Sequence, residues 1–234
     1  MAKPISTEIY QCNKEAGTYD PNSPFKTNLL TTLKILAEES KKEKIPKEKG
    51  FSLAFAGDKL DEEVTAIALC AGYIEAKECV SCVSSTIPLL LQKCTNQKKG
   101  MAWREICMVR YEAFSIHNPD TWVVTNETSE AKVKDAAALE KALNQFVENS
   151  MKKLYENNPA GYAFGTQPYG SPSQELFVVM QCALDIASRE CDKCLLHIAK
   201  EMKPCCIGAS DAIVVTPNCY MRKSRNRIGE VKNS

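Results

Sequence analysis

The residues best suited to chemistry in this 234-residue sequence are its 12 cysteines. Four of them form two pairs with Cys-x2-Cys spacing, Cys79 with Cys82 and Cys191 with Cys194. Such pairs can bind zinc, act as a thiol redox site or form structural disulfides. Zinc would need two pairs close together or spaced histidines, and the chain has only 2 histidines, His117 and His197. A thioredoxin-like site should follow a βαβ pattern, whereas each pair here has a third cysteine upstream, at Cys70 or Cys182. We therefore predict structural disulfides, with no metal site and no cofactor.

Five of the cysteines recur in register, which indicates a tandem duplication. A shift of 112 residues converts the first set into the second: Cys70, Cys79, Cys82, Cys94 and Cys107 become Cys182, Cys191, Cys194, Cys206 and Cys219. Leucines spaced i, i+4 and i+7 from Leu29, and a similar apolar pattern from Leu139, predict an amphipathic helix before each set. Turn-forming residues cluster at 117–120, so we expect two domains, 1–117 and 118–234.

The elements expected in each half are helices packed on an antiparallel sheet, an α+β fold. A short extended segment (Glu8–Gln11, Thr121–Thr125) precedes a long helix over about 27–40 and about 134–155. A second helix begins at each Cys-x2-Cys pair and runs to about Cys94 or Glu201. The candidates for the closing strands are Ala102–Arg110 and Ala212–Tyr220. Neither half can bury a large core, so disulfides are expected to contribute much of the stability.

Composition excludes several classes of partner. Lys+Arg 30 against Asp+Glu 29 gives a net charge of +1, which argues against nucleic acid and anionic membranes as partners. No apolar stretch is long enough to span a bilayer. The cysteine density favours an oxidising compartment. Because no signal peptide is present in this chain, we interpret it as a mature secreted (extracellular, apoplastic) form with a start methionine.

Two further motifs belong to this interpretation. Asn126-Glu127-Thr128 is an N-glycosylation acceptor sequence if the chain is secreted. The C-terminal basic residues are expected to form a solvated tail: Arg222, Lys223, Arg225 and Arg227.

The spacing Cys70-x8-Cys79-x2-Cys82, with its second copy, closely resembles the plant cysteine-rich secretory repeat, also called the ginkbilobin-type or salt-stress/antifungal domain. The stretches 10–13 and 107–112 are similar to the first repeat of that family, and the resemblance covers nearly the whole chain. It implies two helices against a five-stranded antiparallel sheet in each unit. It also implies five disulfides: Cys12–Cys94, Cys70–Cys79, Cys82–Cys107, Cys182–Cys191 and Cys194–Cys219.

The second unit departs from the family pattern. At the 112-residue offset, Val124 stands in the place of Cys12, so Cys206 loses its expected partner. An additional cysteine, Cys205, lies beside it. Three outcomes stay open: a vicinal disulfide, two free thiols or an intermolecular bridge.

The resemblance also implies a sugar site, because ginkbilobin-like proteins bind mannose through an Asn, an Arg and a Glu. Carried over by position, these are Asn13 and Glu112, with Met101 replacing the expected Arg. Methionine cannot donate a hydrogen bond, so affinity should fall unless Lys99 or Arg104 supplies the cation. Arg104 should face the opposite side of a strand from Met101.

At the same offset the second unit has Thr125, Ile213 and Ser224, which predict no sugar site there. Our first hypothesis is a secreted plant defence or stress protein, a weak mannose-binding lectin with an antifungal role that binds fungal or cell-wall glycans through the first domain. The alternative is an apoplastic protein-interaction module that binds a receptor ectodomain or a microbial effector at the cell surface without sugar. A third is a thiol redox sensor at Cys205 and Cys206. No nucleophile–base constellation is present, so we do not expect an enzyme.

Overall fold

In a computed structural model of the chain, the described residues contain ten strands that form two five-stranded antiparallel sheets. The structure describes residues 8–42, 50–113, 125–154, 161–170, 174–226 and 228. These residues divide into two compact units, with described parts that end at Ala113 and begin at Thr125. The predicted domain boundary, like His117 and Arg227, lies outside the described residues.

The two units repeat the same order of elements. The first contains β1 (Ile9–Cys12), a short 3-10 helix (Lys14–Ala16), α1 (Pro24–Glu39), β2 (Phe51–Ala56), β3 (Val64–Cys70), α2 (Ala76–Lys93), β4 (Lys99–Arg104) and β5 (Cys107–Ala113). The second contains β6 (Thr125–Thr128), α3 (Ala136–Lys153), β7 (Tyr162–Tyr169), β8 (Gln174–Cys182), α4 (Ser188–Cys206), β9 (Asp211–Val215) and β10 (Cys219–Ser224). The strand orders are β1-β4-β5-β3-β2 and β6-β9-β10-β8-β7. This confirms the predicted α+β fold.

The first helix of each unit begins at a residue that caps it. The hydroxyl oxygen of Ser23 accepts a hydrogen bond from the backbone N–H of Lys26, and Pro24 occupies the first helical position. The carboxylate of Asp135 accepts one from the N–H of Ala138 at 2.8 Å. The predicted apolar face is buried in both helices, α1 with Leu29, Leu33 and Leu36, and α3 with Leu139, Leu143 and Phe146.

The prediction for the closing strands was wrong in their extent, because each predicted segment contains a turn. In the first unit, Arg104 pairs with Cys107, so β4 and β5 form a hairpin around Glu105 and Ile106. Neither of these two residues is a turn signal, so the sequence pattern shows no break there. In the second unit, β9 ends at Val215 and β10 begins at Cys219.

The strand register also corrects the equivalence of the first strands. Cys12 pairs with Gly100, and Thr128 pairs with Ala212, which follows Gly100 by the 112-residue offset. Thr128, and not Val124, therefore occupies the place of Cys12. By the same register Ser129, and not Thr125, corresponds to Asn13. Thr128 precedes Cys182 by 54 positions, whereas Cys12 precedes Cys70 by 58. The second unit is therefore four residues shorter between its first strand and its first repeated cysteine, which the spacing of the five repeated cysteines could not reveal.

All 12 cysteines lie in the described part of the chain, where they form six disulfides and none is free. Three are in the first unit, Cys12–Cys94, Cys70–Cys79 and Cys82–Cys107, and two repeat in the second, Cys182–Cys191 and Cys194–Cys219. The sixth is the vicinal bridge Cys205–Cys206 at the end of α4. Cys205 and Cys206 therefore form the vicinal disulfide, and not two free thiols or an intermolecular bridge.

The C-terminal basic residues were predicted to form a solvated tail, but the two that begin this run lie in a strand. Arg222 and Lys223 lie in β10, which pairs with both β8 and β9. Arg222 is half-buried and Lys223 fully buried, while Arg225 is exposed. The expectation was wrong because the last strand continues through the basic residues.

Candidate functional site

The residues expected to bind sugar come from three segments at one end of the first sheet. Asn13 follows β1, Met101 lies in β4 and Glu112 lies in β5. Lys99 connects them: it pairs in register with Glu112, and its carbonyl oxygen accepts a hydrogen bond from the Asn13 backbone N–H at 3.1 Å. The fold therefore places Asn13 and Glu112 on two sides of Lys99.

The site lies on the face of the sheet opposite the helices. Along β5, Val109 and Tyr111 pack in the core of the first unit. Because side chains alternate along a strand, Arg110 and Glu112 point to the other face, with their register partners in β4. Arg110 is not among the residues predicted to bind sugar, although its two-residue spacing from Glu112 in a predicted strand would place both on one face.

The electrostatics of the site centre on the Glu112 carboxylate. Its Oε2 lies 2.8 Å from Nζ of Lys99, and its Oε1 lies 3.2 Å from Nη1 of Arg110. All three side chains are largely buried: Glu112 is 7% exposed, Lys99 14% and Arg110 8%. Two cations thus stabilise one buried carboxylate, and removal of that carboxylate would take the compensating charge away from both of them.

Asn13 has a local structural role beside this cluster. Its Oδ1 accepts hydrogen bonds from the backbone N–H groups of Glu15 at 2.9 Å and Ala16 at 3.2 Å. It therefore caps the short helix Lys14–Ala16. Among the residues that the structure describes, its amide nitrogen has no partner, so this nitrogen is the hydrogen-bond donor that Asn13 can offer to a ligand.

Met101 and Arg104 do not supply the missing guanidinium. Met101 is buried and apolar, and pairs in register with Arg110. The guanidinium of Arg104 lies 3.1 Å from the carboxylate of Glu8, an ion pair that is separate from Glu112. Lys99 and Arg110 are therefore the residues that place cations beside Glu112 at this end of the sheet.

The corresponding end of the second sheet has a different polar network. Asp211 and Ser224 occupy the places of Lys99 and Glu112, and the Ser224 hydroxyl donates a hydrogen bond to Oδ1 of Asp211. The hydroxyl of Ser210 donates to Oδ2 at 2.7 Å. A carboxylate and two hydroxyls thus stand where the first unit has a carboxylate between two cations.

A second difference lies one residue earlier in the last strand. In the first unit, the hydroxyl of Tyr111 donates a hydrogen bond to the carbonyl oxygen of Gln97 at 2.8 Å, and burial raises the pKa of that hydroxyl. In the second unit, Lys223 donates from Nζ to the carbonyl oxygen of Ala209, the counterpart of Gln97. Burial lowers the pKa of Lys223 to about 8, with nearby Lys132 adding to that effect and Asp211 opposing it.

An apolar strip on the surface is the other feature of the first unit that could bind a partner. Leu53 and Phe55 in β2 are 45% and 65% exposed, and Leu60 in the following turn is 65% exposed. Leu53 and Phe55 are two residues apart and share one face of the strand, while Ala54 between them packs in the core. β2 lies at the edge of its sheet. We call these three residues, Leu53, Phe55 and Leu60, the β2 strip.

The described residues contain no cluster of three or more His, Cys, Asp or Glu side chains that could hold a metal ion. His197 is half-buried in α4. No helix in the described part of the chain has the length and hydropathy needed to cross a membrane.

A model of one protein family matches both units, at residues 11–113 and 125–226. The family is described as salt stress response/antifungal. The chain belongs to this family. The resemblance inferred from the cysteine spacing is thereby confirmed.

Relatives of the chain include secreted proteins and receptor-like kinases. Cysteine-rich repeat secretory protein 38 of Arabidopsis thaliana is 27% identical over 92% of this chain and 82% of its own length. An antimicrobial ginkbilobin-2-like protein of Castanea crenata is 27% identical over 88% of this chain and 82% of its own length. Cysteine-rich receptor-like protein kinase 25 of Arabidopsis thaliana is 25% identical over 92% of this chain, and the match covers only 32% of the kinase.

Solved structures show the same fold. The tandem DUF26 ectodomain of the Arabidopsis thaliana receptor-like protein PDLP8 matches with a TM-score of 0.74 at 20% identity, over 92% of this chain and 96% of that one. The ectodomain of PDLP5 matches with a TM-score of 0.69 at 21% identity, over 92% and 97%.

Proposed function

We propose that this chain is a secreted plant stress or defence protein that recognises a protein partner through the β2 strip and catalyses no reaction. The family, the secretory and antimicrobial relatives and the six disulfides support an extracellular stress role. Disulfides on this scale are stable in oxidising compartments.

The observation that carries the choice of a protein partner is the exposure of the β2 strip. Three large apolar side chains within eight residues are exposed to solvent. They lie at the edge of a sheet, where β2 pairs only with β3 among the described strands. An edge strand offers unpaired backbone N–H and C=O groups, and exposed apolar patches mark interaction sites. A protein segment can satisfy both the backbone groups and the apolar side chains.

The test begins with the oxidised chain immobilised and exposed to plant extracellular fluid, followed by calorimetry with the purified captured protein. Phe55→Ser should weaken its binding by about tenfold or more, since a central aromatic contact dominates such interfaces. Leu30→Ser is the matched control, because Leu30 is 46% exposed on α1, a helix that packs on the face of the sheet opposite Leu53 and Phe55. Equal losses for both variants, or binding abolished by removing the partner's glycans, would refute the proposal.

A second candidate function is weak mannose binding at Asn13, Lys99 and Glu112. The observation that favours it is the position of Lys99, which provides a cation beside Glu112 although Met101 has replaced the arginine. An ionised group strengthens hydrogen bonds to sugar hydroxyls. The geometry favours it less than a protein partner, because both carboxylate oxygens of Glu112 already contact cations.

Amide NMR with mannose tests this candidate directly. Millimolar-range shifts localised near Asn13 and Glu112, and absent from Glu112→Ala, would support it. Ser224→Ala makes the corresponding change in the second unit and should leave the response intact. Amide chemical shifts that do not change up to high mannose concentration would reject mannose as the ligand.

Secretion predicts one covalent modification, an N-glycan on Asn126. Asn126 is exposed on β6, an edge strand of the second sheet. The chain expressed through a plant secretory pathway should lose mass on treatment with a peptide-N-glycosidase. Thr128→Ala should abolish that change and Thr128→Ser should retain it, since either hydroxyl completes the acceptor sequence. An unmodified Asn126 in the secreted chain would contradict this prediction.

A further inference from the structure

The end of α4 differs chemically from the end of α2. In the first unit, the buried Cys94 beyond α2 is bonded to Cys12 of β1. In the second unit, Cys206 is equally buried, but the strand register places Thr128 opposite it instead of a cysteine. Cys206 is bonded to its neighbour Cys205, which occupies the place of Lys93 on the solvent side of the helix.

Accessibility separates this bridge from the other five. Cys205 is exposed, whereas Cys206 is 1% exposed. Among the ten cysteines of the other bridges, nine are buried and Cys12 is half-buried. Thiol–disulfide exchange requires a thiolate to approach one sulfur along the bond, so exposure of that sulfur controls the rate.

We propose that the Cys205–Cys206 bridge is a thiol-exchange site at which a small-molecule thiol, of the glutathione class, becomes attached to Cys205. The incoming thiolate attacks Sγ of Cys205 and forms a new sulfur–sulfur bond to it. The Cys205–Cys206 bond breaks, and the electron pair remains on Sγ of Cys206, which takes a proton from solvent. One thiol is consumed and one is formed, so no separate oxidant is needed.

The surroundings of Cys205 favour this direction of attack. Its sulfur lies 3.2 Å from the carbonyl oxygen of Glu201 and 3.8 Å from that of Met202, in the last turn of α4. These carbonyl dipoles disfavour a negative charge on Cys205, which would develop if Cys206 were attacked and Cys205 were the leaving group. Access therefore selects Cys205 as the attacked sulfur, and the carbonyl dipoles act against the alternative in which Cys205 is the leaving group.

The experiment uses the intact oxidised chain, whose other five bridges serve as internal controls. The chain is incubated with glutathione at mildly alkaline pH, quenched with acid, unfolded, alkylated and mapped by mass spectrometry. We expect a glutathionyl group on Cys205 and an alkylated thiol at Cys206, formed about tenfold or more faster than opening of any other bridge. A comparable or faster opening of another bridge would overturn the proposal.

Two controls complete the test. The untreated chain is alkylated first, and free thiols found at Cys205 and Cys206 before any glutathione is added would also overturn the proposal. The double variant Cys205→Ala, Cys206→Ala should show no glutathionyl group, while its remaining bridges open at the wild-type rate. Glutathione incorporation equal to that of the wild-type chain would place the reaction elsewhere.

Discussion

The two units share one sheet order and one pair of short-range disulfides, yet they differ at the same end of the sheet. In the first unit, Glu112 contacts two cations there; in the second, Ser224 donates to Asp211. Farther along the same strands, the core-facing residues Val109 in the first unit and Met221 in the second are apolar. The same sheet and disulfides are therefore compatible with ion pairs at this end in the first unit and with hydroxyl–carboxylate hydrogen bonds in the second. Glu112 and Ser224 can differ in this way because neither belongs to the apolar core.

The second contrast concerns how each unit is cross-linked. The Cys12–Cys94 bridge joins residues 82 apart in the first unit, while the cysteine at the corresponding helix end of the second unit bonds to its neighbour. A long closed loop constrains the unfolded chain, and a vicinal bridge constrains almost nothing. We therefore infer that the second unit is the less strongly cross-linked of the two.

The largest effect should come from giving the second unit the cross-link of the first. Thr128→Cys combined with Cys205→Ala places a thiol in the register of Cys12, opposite Cys206. A disulfide between this introduced thiol and Cys206 would close a loop of about 80 residues and raise the free energy of unfolding by about 4.5 kcal/mol. Denaturant unfolding and disulfide mapping check this, with Cys205→Ala alone as the control. A correctly mapped bond without stabilisation would contradict the inference about cross-linking.

The next effect concerns the charged end of the first sheet. Glu112→Gln leaves Lys99 and Arg110 without the carboxylate between them, and should lower the free energy of unfolding by roughly 3–4 kcal/mol. Ser224→Ala, the matched change in the second unit, removes a hydrogen bond to Asp211 and one from the N–H of Asn226, and should cost about 2 kcal/mol. Urea unfolding of both variants measures the difference. Equal costs would show that the two polar ends are energetically alike.

The buried lysine of the second unit gives the third prediction. Burial lowers the pKa of Lys223 from 10.5 to about 8, so between these pH values the unfolded chain binds a proton that the folded chain does not. Its contribution to the unfolding free energy therefore increases as pH rises from about 8 to 10.5. Lys223→Tyr, which copies Tyr111, should stabilise the protein at about pH 7 by up to about 3 kcal/mol.

The measurement is the difference in unfolding free energy between the wild-type chain and Lys223→Tyr, followed from about pH 7 to about pH 10. This difference should shrink as pH rises, because the wild-type chain no longer carries the cost of a buried ammonium. Lys223→Met is the control that removes the charge without supplying a hydroxyl donor to Ala209. A difference that stays constant with pH would show that Lys223 does not titrate in this range.

The smallest effect concerns the residue that follows the first strand. Asn13→Ala removes the cap of the short helix and should cost about 1 kcal/mol, whereas Asn13→Ser keeps an oxygen acceptor and should cost less. Thermal unfolding compares them. If Asn13→Ala is neutral, the cap contributes nothing measurable, and the role of Asn13 would then have to lie in ligand binding.

The duplication, the α+β class and the helices with buried apolar faces could all be predicted from the sequence, because cysteine spacing and apolar periodicity can be read along the chain. The resemblance in those patterns also supplied the five disulfide pairings, which spacing alone leaves open. The strand register required the folded structure, and it makes Thr128 rather than Val124 the counterpart of Cys12.

The chemistry of the candidate sites also depended on tertiary structure. Lys99, Arg110 and Glu112 meet because two adjacent strands align in one register, and the exposure of Cys205 beside the buried Cys206 follows from how α4 packs. The local sequence describes these side chains but not their neighbours across the sheet. Cross-strand contacts and burial arise only when distant segments pack together, and they give these residues their charge partners and their accessibility.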